Sequence, residues 1–380
     1  MIHVQVIETS IEEIVELKSK NVILVTYPDD FSQQEGRSLV ESIDDNRVVK
    51  IFSQKYLGHS TYGLGSGKVE EIKEFLTENK LEKVVVDDHM TSKRLYNLEK
   101  ATGLKVIDRE RLILDIFYSR ATTTEAKLQI QLAEIKYELP RVREEAKLAT
   151  GSERPGRGGS GEYVVDVKFR DLKRRMGFIA DKLSNAQHKR QLYQKQRTSN
   201  EMPIIALVGY TSSGKTTLFN LLTHENKETS DSLFTTLSTT TRSFIIDSQK
   251  LLLTDTVGFI SRLPTYMIEA FKSTLEESLM ADIILLLIDS SQSVNEIRIK
   301  YSSCWQTLDE LRVDREKVFV IFTKCDNAEQ MRIQEIATDL GMLNPIATSA
   351  KTGYGIHKLK NLIAQRILLK TSGKKIKIPA

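Results

Sequence analysis

The stretch Pro203–Thr223 reads PIIALVGYTSSGKTTLFNLLT. Its first part, Pro203–Val208, is an apolar run of the kind that forms a buried strand, and the residues from Thr217 onward favour a helix. Between them, Gly209–Thr216 has the full spacing of a phosphate-binding loop, in which the second glycine is followed by lysine and a hydroxyl residue. Strand, loop and helix in this order predict a site for a nucleoside triphosphate.

Each residue type in this loop has a chemical reason to be there. Backbone N–H groups would surround the β-phosphate, Lys215 would reach the β- and γ-phosphate oxygens, and the Thr216 hydroxyl would ligate Mg²⁺. Lys215 is therefore the first candidate catalytic residue. The candidate nucleotide-binding residues of the loop are Gly209, Tyr210, Thr211, Ser212, Ser213, Gly214, Lys215, Thr216 and Thr217.

A second motif ends the next buried strand, where residues 251–258 read LLLTDTVG. Asp255 is predicted to hold Mg²⁺ through water, and the Gly258 N–H is predicted to sense the γ-phosphate, which makes Gly258 the second catalytic candidate. The candidate nucleotide-binding residues here are Asp255, Thr256, Val257 and Gly258. Ras-type enzymes place a water-orienting glutamine at the next position, which is Phe259 in this chain. Because a phenyl ring cannot orient water, we expect slow intrinsic hydrolysis and a partner or a displaced residue that completes the site.

The segment LFTTLSTTTR, residues 233–242, lies between these motifs and should supply a further hydroxyl to the magnesium ion. By resemblance to GTPases with a Phe-x-Thr-Leu switch, Thr236 is the predicted ligand and the third catalytic candidate, with Thr240 and Thr241 as alternatives. A role in shaping the loop stays open for these threonines. The nucleotide-binding candidates of the segment are Phe234, Thr235 and Thr236, and the predicted magnesium ligands are Thr216, Thr236 and Asp255.

Guanine is the predicted base. The apolar run VFVIF is followed by Thr323-Lys324-Cys325-Asp326, which resembles the Asn-Lys-x-Asp motif of GTPases. The Asp326 carboxylate would accept hydrogen bonds from guanine N1–H and the 2-amino group, whereas adenine offers an acceptor and no amine. Thr323 replaces the usual Asn and removes an amide that bonds both the base and the phosphate loop, so we expect weakened affinity. The base-contacting candidates are Thr323, Lys324 and Asp326, together with Ser349, Ala350 and Lys351, which resemble the second base-contacting loop of the same enzymes.

Upstream of these motifs, the chain has two regions of different character. Over residues 1–120, short β-type runs alternate with amphipathic segments, a pattern typical of a small parallel α/β domain. Over residues 121–198, apolar residues at heptad spacing predict two helices that fold back as an antiparallel hairpin. The predicted stripes consist of Leu128, Leu132, Ile135, Leu139, Val142, Ala146 and Ala149 on the first helix and of Leu172, Met176, Ile179, Leu183 and Ala186 on the second. The glycine density of residues 151–161 predicts a flexible tip loop, and Pro140 predicts a kink in the first helix.

The predicted fold class is therefore α/β, with an N-terminal α/β domain, an antiparallel helical hairpin and a GTPase domain. A Ras-like P-loop GTPase domain with a mainly parallel sheet would occupy residues 199–370, and a short basic tail would follow at 371–380. Residues 168–197 of the second arm are strongly basic, with Asp171 and Asp181 as the acidic residues of that stretch, and such an arm suits a phosphate backbone. A solvated charged face is the alternative. The basic residues are Lys168, Arg170, Lys173, Arg174, Arg175, Lys182, Lys189, Arg190, Lys195 and Arg197.

Composition bounds the remaining possibilities. The 380 residues, of which 40% are hydrophobic and 28% charged, exceed one ordinary core and argue against wholesale disorder. The net charge of +4 is mild, and 2 cysteines exclude a disulfide framework. The longest apolar run is too short for a membrane span, and the N-terminus lacks a signal pattern, so we expect a cytoplasmic protein. We expect a monomer because the heptad stripes are already paired within the hairpin.

Four segments together resemble the HflX family of ribosome-associated GTPases: YGLGSGKVEEIKEF from Tyr62, GYTSSGKTTLFN from Gly209, FTTLSTTTR from Phe234 and DTVGFISRLP from Asp255. The resemblance covers nearly the whole chain. It implies Mg²⁺-dependent hydrolysis of GTP to GDP and phosphate, with docking of the N-terminal region and the hairpin on the large ribosomal subunit and its RNA. It further implies a role in translation, in ribosome splitting or rescue, or in ribosome biogenesis.

Two other functions remain open. An ATP-driven RNA-remodelling protein would use the turn Gly63–Lys68, with GTP only as regulator. The turn lacks a full phosphate-loop pattern, because Tyr62 stands where the first glycine belongs and Val69 supplies no hydroxyl, so a structural or RNA-contacting turn is favoured. A tRNA-modification GTPase also has a helical domain and a glutamine-free switch, but those enzymes end in a catalytic cysteine motif and this chain ends KKIKIPA.

Overall fold

The computed structural model describes the chain in eight segments. These are residues 20–43, 45–152, 160–198, 202–227, 233–234, 239–270, 281–342 and 345–371, with no side chains described at 145–164, 187, 189–198 and 370–371. The predicted switch residues Thr235 and Thr236, most of the predicted tip loop and nearly all of the basic tail lie outside the described residues.

The chain divides into two compact units. The first consists of Met1–Ser119 and Glu134–Gly177, and the second of Arg120–Ala133 and Phe178–Ala380. The helical region predicted for residues 121–198 is therefore shared between the two units. The division into three domains stays a prediction.

The first unit contains a parallel sheet with helical connections, as the alternating pattern predicts. Its strands are β1 (Lys20–Thr26), β2 (Asn46–Ser53), β3 (Lys83–Val86) and β4 (Lys105–Asp108), and its helices are α1 (Asp30–Glu41), α2 (Ser66–Glu78), α3 (Ser92–Thr102) and α4 (Arg109–Arg120). The strand order is β2-β1-β3-β4, and the neighbouring strands pair in parallel.

The central strands of this sheet are covered on both faces. Residues 22–25 of β1 and 84–86 of β3 are completely buried, in keeping with the continuous apolar runs that parallel sheets require. Local signals set the helix ends. The Asp29 side chain accepts a hydrogen bond from the Ser32 N–H at 2.8 Å at the start of α1, and Gly103 ends α3 with a left-handed φ of 70°.

A buried ionic cluster fills the carboxyl edge of this sheet, where β1 and β3 lie side by side. Arg109, which is 3% exposed, pairs with Glu35 at 2.6 Å and also binds Asp87. The Thr26 hydroxyl donates to the Asp87 carboxylate at 2.7 Å. The cluster places one guanidinium between two buried carboxylates, a geometry that balances charge in a low-dielectric interior.

The two long helices form the predicted antiparallel hairpin. The first, α5, spans Thr124–Ser152 and continues through Pro140, and the second, α6, spans Ser160–Thr198. The Arg143 guanidinium lies 4.6 Å from the Phe169 ring centroid, and further from the tip Glu134 on α5 interacts with Arg175 on α6. From the first contact to the second, the residue number falls on α5 and rises on α6, as antiparallel packing requires. Both helices extend into the stretch predicted as a loop, which shortens the tip.

Burial along the hairpin agrees with the heptad pattern only in part. Leu172, Ile179 and Leu183 on α6 are buried at the predicted positions. On α5, however, Ile130 and Ala133 are completely buried although they lie outside the predicted stripe. This helix is therefore covered on more than one side, which a single heptad stripe does not describe.

The middle of α5 is bonded to the sheet of the first unit through one carboxylate. Asp108, completely buried at the end of β4, accepts a hydrogen bond from the Tyr137 hydroxyl at 3.0 Å and pairs with Arg141 at 2.6 Å. The same side chain accepts from the Arg111 N–H at 2.9 Å in the first turn of α4. One residue thus links strand, helix and hairpin within this unit.

The second unit has a larger, mainly parallel sheet. Its strands are β5 (Ile204–Gly209), β6 (Thr240–Ile246), β7 (Gln249–Asp255), β8 (Ile283–Asp289), β9 (Val318–Thr323) and β10 (Ile346–Ala347), and its helices are α7 (Lys215–Thr223), α8 (Val294–Glu310), α9 (Gln330–Asp339) and α10 (Ile356–Thr371). The order is β10-β9-β8-β5-β7-β6, in which only β6 runs antiparallel to its neighbour β7.

This sheet has the order and direction expected of the predicted GTPase domain. Strand β8 is buried along its full length, and α8 begins with a complete capping box between Ser293 and Glu296. The carboxyl ends of β5, β7, β8 and β9 meet at one edge, where the predicted motifs lie. No helix in the part of the chain that the structure describes is both long enough and apolar enough to cross a membrane.

The buried cluster at Arg109 should contribute strongly to the stability of the first unit. Arg109→Ala leaves two buried carboxylates without their shared guanidinium, so we expect a loss of about 3–5 kcal/mol in the free energy of unfolding. The measurement is urea unfolding followed by far-ultraviolet circular dichroism, with fluorescence of the single tryptophan, Trp305, reporting separately on the second unit.

Lys73→Ala is the matched control, because Lys73 pairs with Glu70 on the surface of the same unit at 2.9 Å. An exposed pair contributes less than about 1 kcal/mol. Equal and small effects of the two variants would contradict the assigned role of the cluster.

Candidate nucleotide-binding site

The phosphate-loop residues form the connection between β5 and α7. Two of them adopt left-handed backbone conformations, Ser212 with φ 59° and Gly214 with φ 87°. At Gly209 the backbone passes so close to β8 that a Cβ atom would lie 2.5 Å from the Leu287 carbonyl oxygen. The first glycine of the motif is thus required by close packing and the second by the turn into α7.

Lys215 lies in the first turn of α7 and is held over the loop. Its ammonium donates to the carbonyl oxygens of Gly209 at 3.1 Å and Tyr210 at 2.7 Å. Burial lowers the pKa of Lys215 to about 8, and the nearby Asp255 carboxylate acts in the opposite direction. These contacts place a cation at the mouth of the loop, next to the position predicted for the phosphates.

Thr216 and Asp255, two of the predicted magnesium ligands, lie next to each other. The Thr216 hydroxyl donates to Asp255 Oδ2 at 3.1 Å, and Asp255 is completely buried at the end of β7. Of the alternative switch threonines, Thr240 lies opposite Asp255 in the β6–β7 ladder, and the Thr241 hydroxyl lies 2.9 Å from the Thr254 hydroxyl. Thr235 and Thr236 lie outside the described residues, whereas Phe234 is described and buried.

The segment after Asp255 is attached directly to the phosphate loop. The Thr256 hydroxyl donates to the Leu207 carbonyl oxygen at 2.7 Å, and Val257 is buried. Gly258 packs so closely that a Cβ atom would lie 2.9 Å from Thr211 Cγ2 and 3.1 Å from Lys215 Nζ. Any side chain at position 258 would therefore collide with the loop, which explains the glycine without reference to the phosphate.

Phe259 is part of this attachment. Its N–H donates to the Gly209 carbonyl oxygen at 3.0 Å, and its carbonyl oxygen accepts from the Thr211 N–H at 2.8 Å. The Phe259 side chain is 3% exposed, so the ring belongs to the core. Tyr210 adds a bond that the sequence did not indicate, because its hydroxyl accepts from the Ser261 N–H at 2.6 Å.

A cavity of about 180 Å³ lies beside the phosphate loop, where the guanine base is predicted to bind. Its lining consists of Gly214, Thr217, Leu218, Thr323, Lys324, Asp326, Asn327, Thr348, Ala350 and Lys351. Most of these residues come from the predicted site, although they are spread over more than a hundred positions of sequence. The fold therefore brings the loop and both base-contacting motifs to one cavity.

Asp326 is held in its charged form at this cavity. A hydrogen bond from the Ser349 hydroxyl lowers the pKa of the Asp326 carboxyl below its ordinary value, with a smaller contribution from Lys351. Ser349 is completely buried. The two base-contacting motifs are thus bonded to each other, and the carboxylate faces the cavity as an acceptor.

Three family models match successive parts of the chain. They are described as "GTP-binding GTPase N-terminal" over residues 30–118, "GTP-binding GTPase Middle Region" over 120–197 and "50S ribosome-binding GTPase" over 204–324. The GTPase HflX of Methanocaldococcus jannaschii is 40% identical over 323 residues, covering 84% of this chain and 80% of the relative. The chain belongs to the GTPase HflX family.

Further comparisons agree with this assignment. The GTPase HflX of Lacrimispora saccharolytica is 35% identical over 366 residues, covering 93% of this chain and 84% of the relative. A crystal structure of SsGBP in complex with GDP is 25% identical with a TM-score of 0.52 and covers 91% of this chain and 98% of its own. The fold and the family of this chain are therefore those of GTP-hydrolysing enzymes.

The structure corrects one expectation for this HflX chain. The sequence predicts that Thr323, in the place of the usual Asn, loses the bond to the phosphate loop. Instead, the Thr323 hydroxyl lies 2.8 Å from the Ser213 carbonyl oxygen in the loop and 3.1 Å from the Ile288 carbonyl oxygen. The link to the loop is kept, because a hydroxyl at the end of β9 is close enough to reach a backbone carbonyl. Weakened affinity through a lost base contact stays a prediction.

Several residues of the site carry no motif of their own. Asp289, at the end of β8, pairs with the Lys324 ammonium at 2.7 Å and fixes the lysine of the base motif. Leu218, Asn327 and Thr348 line the cavity next to predicted residues, and Lys227 lies beside Asp255. Asp289 could have been found, because it follows the buried run IILLLI and parallel strands end at one edge. The other residues depend on packing and have no comparable sequence signal.

The glycine-rich turn of the first unit has a structural explanation. Gly63 has a φ of 75°, and a Cβ atom there would lie 2.5 Å from Met90 Sδ. The Gly65 N–H donates to the Gln54 side chain at 3.1 Å, and the Lys68 ammonium pairs with Glu71 at 2.6 Å. These contacts agree with the structural reading of the turn Gly63–Lys68.

The hydroxyl of Thr323 should contribute measurably to nucleotide affinity. Thr323→Val keeps the shape and removes the donor to the Ser213 carbonyl oxygen, so we expect affinity for GDP to fall by about tenfold. Equilibrium titration with a fluorescent GDP analogue measures this. Thr323→Asn is the matched control and should bind at least as tightly as the natural protein, because the amide can bond both the loop and the base. Unchanged affinity in Thr323→Val would show that the hydroxyl does not support the loop.

Proposed function

We propose that this protein is a Mg²⁺-dependent GTPase that hydrolyses GTP to GDP and phosphate and acts as a switch on the large ribosomal subunit. The main support for guanine nucleotide binding is the cavity beside the phosphate loop. The Asp326 carboxylate lines this cavity and accepts a hydrogen bond from the Ser349 hydroxyl. Guanine presents two N–H donors to such an acceptor, whereas adenine presents no donor to it at this edge. Family membership supports the same base.

The proposed roles follow the geometry. The loop residues 209–216 surround the β-phosphate with their N–H groups, and Lys215 binds the β- and γ-phosphate oxygens. The Lys324 stem lies along the base plane, fixed by Asp289. Thr236 supplies the switch hydroxyl, and Gly258 senses the γ-phosphate. The nucleotide-binding set is the one predicted from the sequence, including Thr217, Phe234, Thr235, Thr256, Val257, Ala350 and Lys351.

Thr216 and Asp255 fit a magnesium ion. A hydroxyl and a carboxylate oxygen 3.1 Å apart are the hard oxygen donors that Mg²⁺ prefers, and a lysine ammonium already lies 3.4 Å from the same carboxylate oxygen. The site therefore attracts cations. When bound, Mg²⁺ would neutralise charge on the β- and γ-phosphate oxygens.

Hydrolysis by the chain alone should be slow. Phe259 has a buried side chain and a backbone bonded to the phosphate loop, so it supplies no polar group to orient water. A displaced residue or a partner is therefore needed to complete the site for fast turnover. If a partner supplies the missing group, fast hydrolysis of GTP takes place only where that partner is present.

The ribosome is the proposed partner. The name of the family model at residues 204–324 refers to 50S ribosome binding, and the described basic side chains on α6, from Lys168 to Lys182, are exposed. Exposed cations along a helix suit an RNA backbone. We propose docking on the large subunit and its RNA, with a role in translation, ribosome splitting or rescue, or ribosome biogenesis. A cytoplasmic monomer is the proposed form.

Base choice can be tested at Asp326. Asp326→Asn replaces an acceptor by an amide that can also donate, so affinity for GTP should fall roughly a hundredfold while affinity for xanthosine triphosphate rises. Competition titrations against a fluorescent guanine nucleotide measure both. Asp339→Asn, an exposed carboxylate of the same unit that pairs with Arg298, is the control and should leave the preference unchanged. Retained preference for guanine in Asp326→Asn would refute the base-reading role.

The ribosomal partner can be tested by GTP turnover of the purified protein, alone and with large ribosomal subunits, at low and moderate salt. We expect strong stimulation that weakens steeply with salt. Replacing both Arg175 and Lys182 by Glu should reduce stimulation at low salt by about tenfold or more and leave intrinsic turnover unchanged. Lys215→Ala should abolish turnover under every condition. Absence of stimulation, with GTP still bound, would remove the ribosomal part and leave the GTPase assignment intact.

A further inference from the structure

Lys227 lies next to the predicted magnesium ligands, and the proposed function gives it no role. It lies in the loop that follows α7, a few residues after the helix ends at Thr223. Its ammonium lies 3.4 Å from Asp255 Oδ2, the oxygen that also accepts the Thr216 hydroxyl. A cation of the chain itself is thus placed on the carboxylate that is predicted to hold Mg²⁺.

The backbone of Lys227 is fixed in this position from two sides. The Asn220 side chain accepts a hydrogen bond from the Lys227 N–H at 3.2 Å and donates to the Lys227 carbonyl oxygen at 2.8 Å. Asn220 belongs to α7, the helix that begins with Lys215 and Thr216. The backbone of Lys227 is therefore bonded to α7, the helix that also contains Lys215 and Thr216.

The side chain is directed by packing as well as by charge. The Lys227 ammonium lies 4.9 Å from the centroid of the buried Phe219 ring, a cation–π distance, and the side chain is 25% exposed. A partly exposed lysine keeps a path to water. Its ammonium can therefore leave Asp255 without crossing the core, which a fully buried lysine could not do at low cost.

Electrostatics supplies the reason for a cation at this point. Asp255 is completely buried, and a buried carboxylate is costly unless positive charge lies nearby. Lys215 interacts with it, but that ammonium is bonded to the loop carbonyl oxygens and is predicted to serve the phosphates. Lys227 contacts Asp255 from the side of Thr216, which is the side predicted for the metal ion.

We propose that Lys227 is an internal counter-ion that occupies the magnesium position at Asp255 when Mg²⁺ is absent and that competes with Mg²⁺ for this carboxylate. The proposal rests on the magnesium assignment made under the proposed function. In the GDP complex without metal, the ammonium would stay beside Asp255 and add positive charge next to the diphosphate. Metal binding displaces the lysine toward solvent.

Two linked consequences follow. First, loss of Mg²⁺ from the GDP complex accelerates GDP release less than it would without the lysine, because a cation remains beside the carboxylate and next to the diphosphate. Second, the concentration of Mg²⁺ needed to slow GDP release is higher than it would be without the competitor. Both effects come from one equilibrium, so removal of the charge at position 227 must change both in a coupled way.

The test is the rate of release of a fluorescent GDP analogue from the full-length protein, measured over a titration from excess EDTA to excess Mg²⁺. Lys227→Met keeps a side chain of similar length against Phe219 and removes the charge. We expect its release rate in EDTA to rise by about tenfold relative to the natural protein, with the rate in saturating Mg²⁺ unchanged. The Mg²⁺ concentration at half effect should fall by a similar factor.

Three further variants make the result specific. Lys227→Arg keeps the charge and should behave like the natural protein. Lys250→Met removes an exposed lysine at the other end of β7, the strand that ends in Asp255, and should change neither quantity. Lys227→Gln replaces Lys227→Met if the apolar variant does not fold, as judged by Trp305 fluorescence, and should give the same two shifts.

The outcomes separate this inference from the proposed function. Equal Mg²⁺ dependence in Lys227→Met and the natural protein would overturn the counter-ion role and leave the magnesium site in place. GDP release that ignores Mg²⁺ in all proteins, with GDP still bound tightly, would overturn the magnesium assignment and the counter-ion role together. A shift that also appears in Lys250→Met would show a general charge effect and would equally overturn the specific role.

Discussion

The pairing of β5 with β7 is the constraint on which the nucleotide site depends. In this parallel ladder Leu207 lies opposite Asp255, so the buried carboxylate comes to lie beside the residues that follow β5 in the phosphate loop. The pairing of β8 and β9 places Asp289 opposite Thr323 in the same way. Because parallel strands end at a common edge, motifs far apart in the sequence reach one cleft without long loops. A shift of one residue in either ladder would separate the loop from its partners.

The carboxyl edges of the two sheets differ in how their buried charges are balanced. In the first unit, Arg109 lies between Glu35 and Asp87 at the carboxyl edge, and the protein satisfies its own buried charges there. In the second unit, the corresponding edge opens into the cavity at Asp326, and part of the charge is left for a ligand to balance. The arginine that fills the edge of the first sheet stabilises the fold. The open cavity at the edge of the second sheet can bind a ligand. Among the described residues, this contrast favours the second unit as the place where a nucleotide binds.

Most of the site could be predicted from the sequence because its residues lie in short motifs at strand ends. The phosphate loop, Asp255 and the base motif at Asp326 needed only spacing and the buried runs before them. Thr323 shows the limit of that reasoning, since its bond to the Ser213 carbonyl oxygen depends on how closely β9 approaches the loop. Burial of Ile130 and Ala133 was missed for a similar reason, because a heptad pattern describes one helix face and α5 is covered on more than one. Lys227 carries no motif, and only the fold of the loop behind α7 brings it to Asp255.

The residue after Gly258 limits the rate of GTP hydrolysis that the site can reach by itself. The backbone of Phe259 bridges Gly209 and Thr211, so the segment that follows Gly258 is joined to the phosphate loop by hydrogen bonds on both sides. An aromatic side chain at this position stabilises the junction by burial, and the same burial removes it from any contact with an attacking water. The residue that follows Gly258 therefore adds to the stability of the junction and supplies no polar side chain to the attacking water. A GTPase built in this way needs the missing polar group from another residue or from a partner, and its turnover is then controlled by whatever supplies that group.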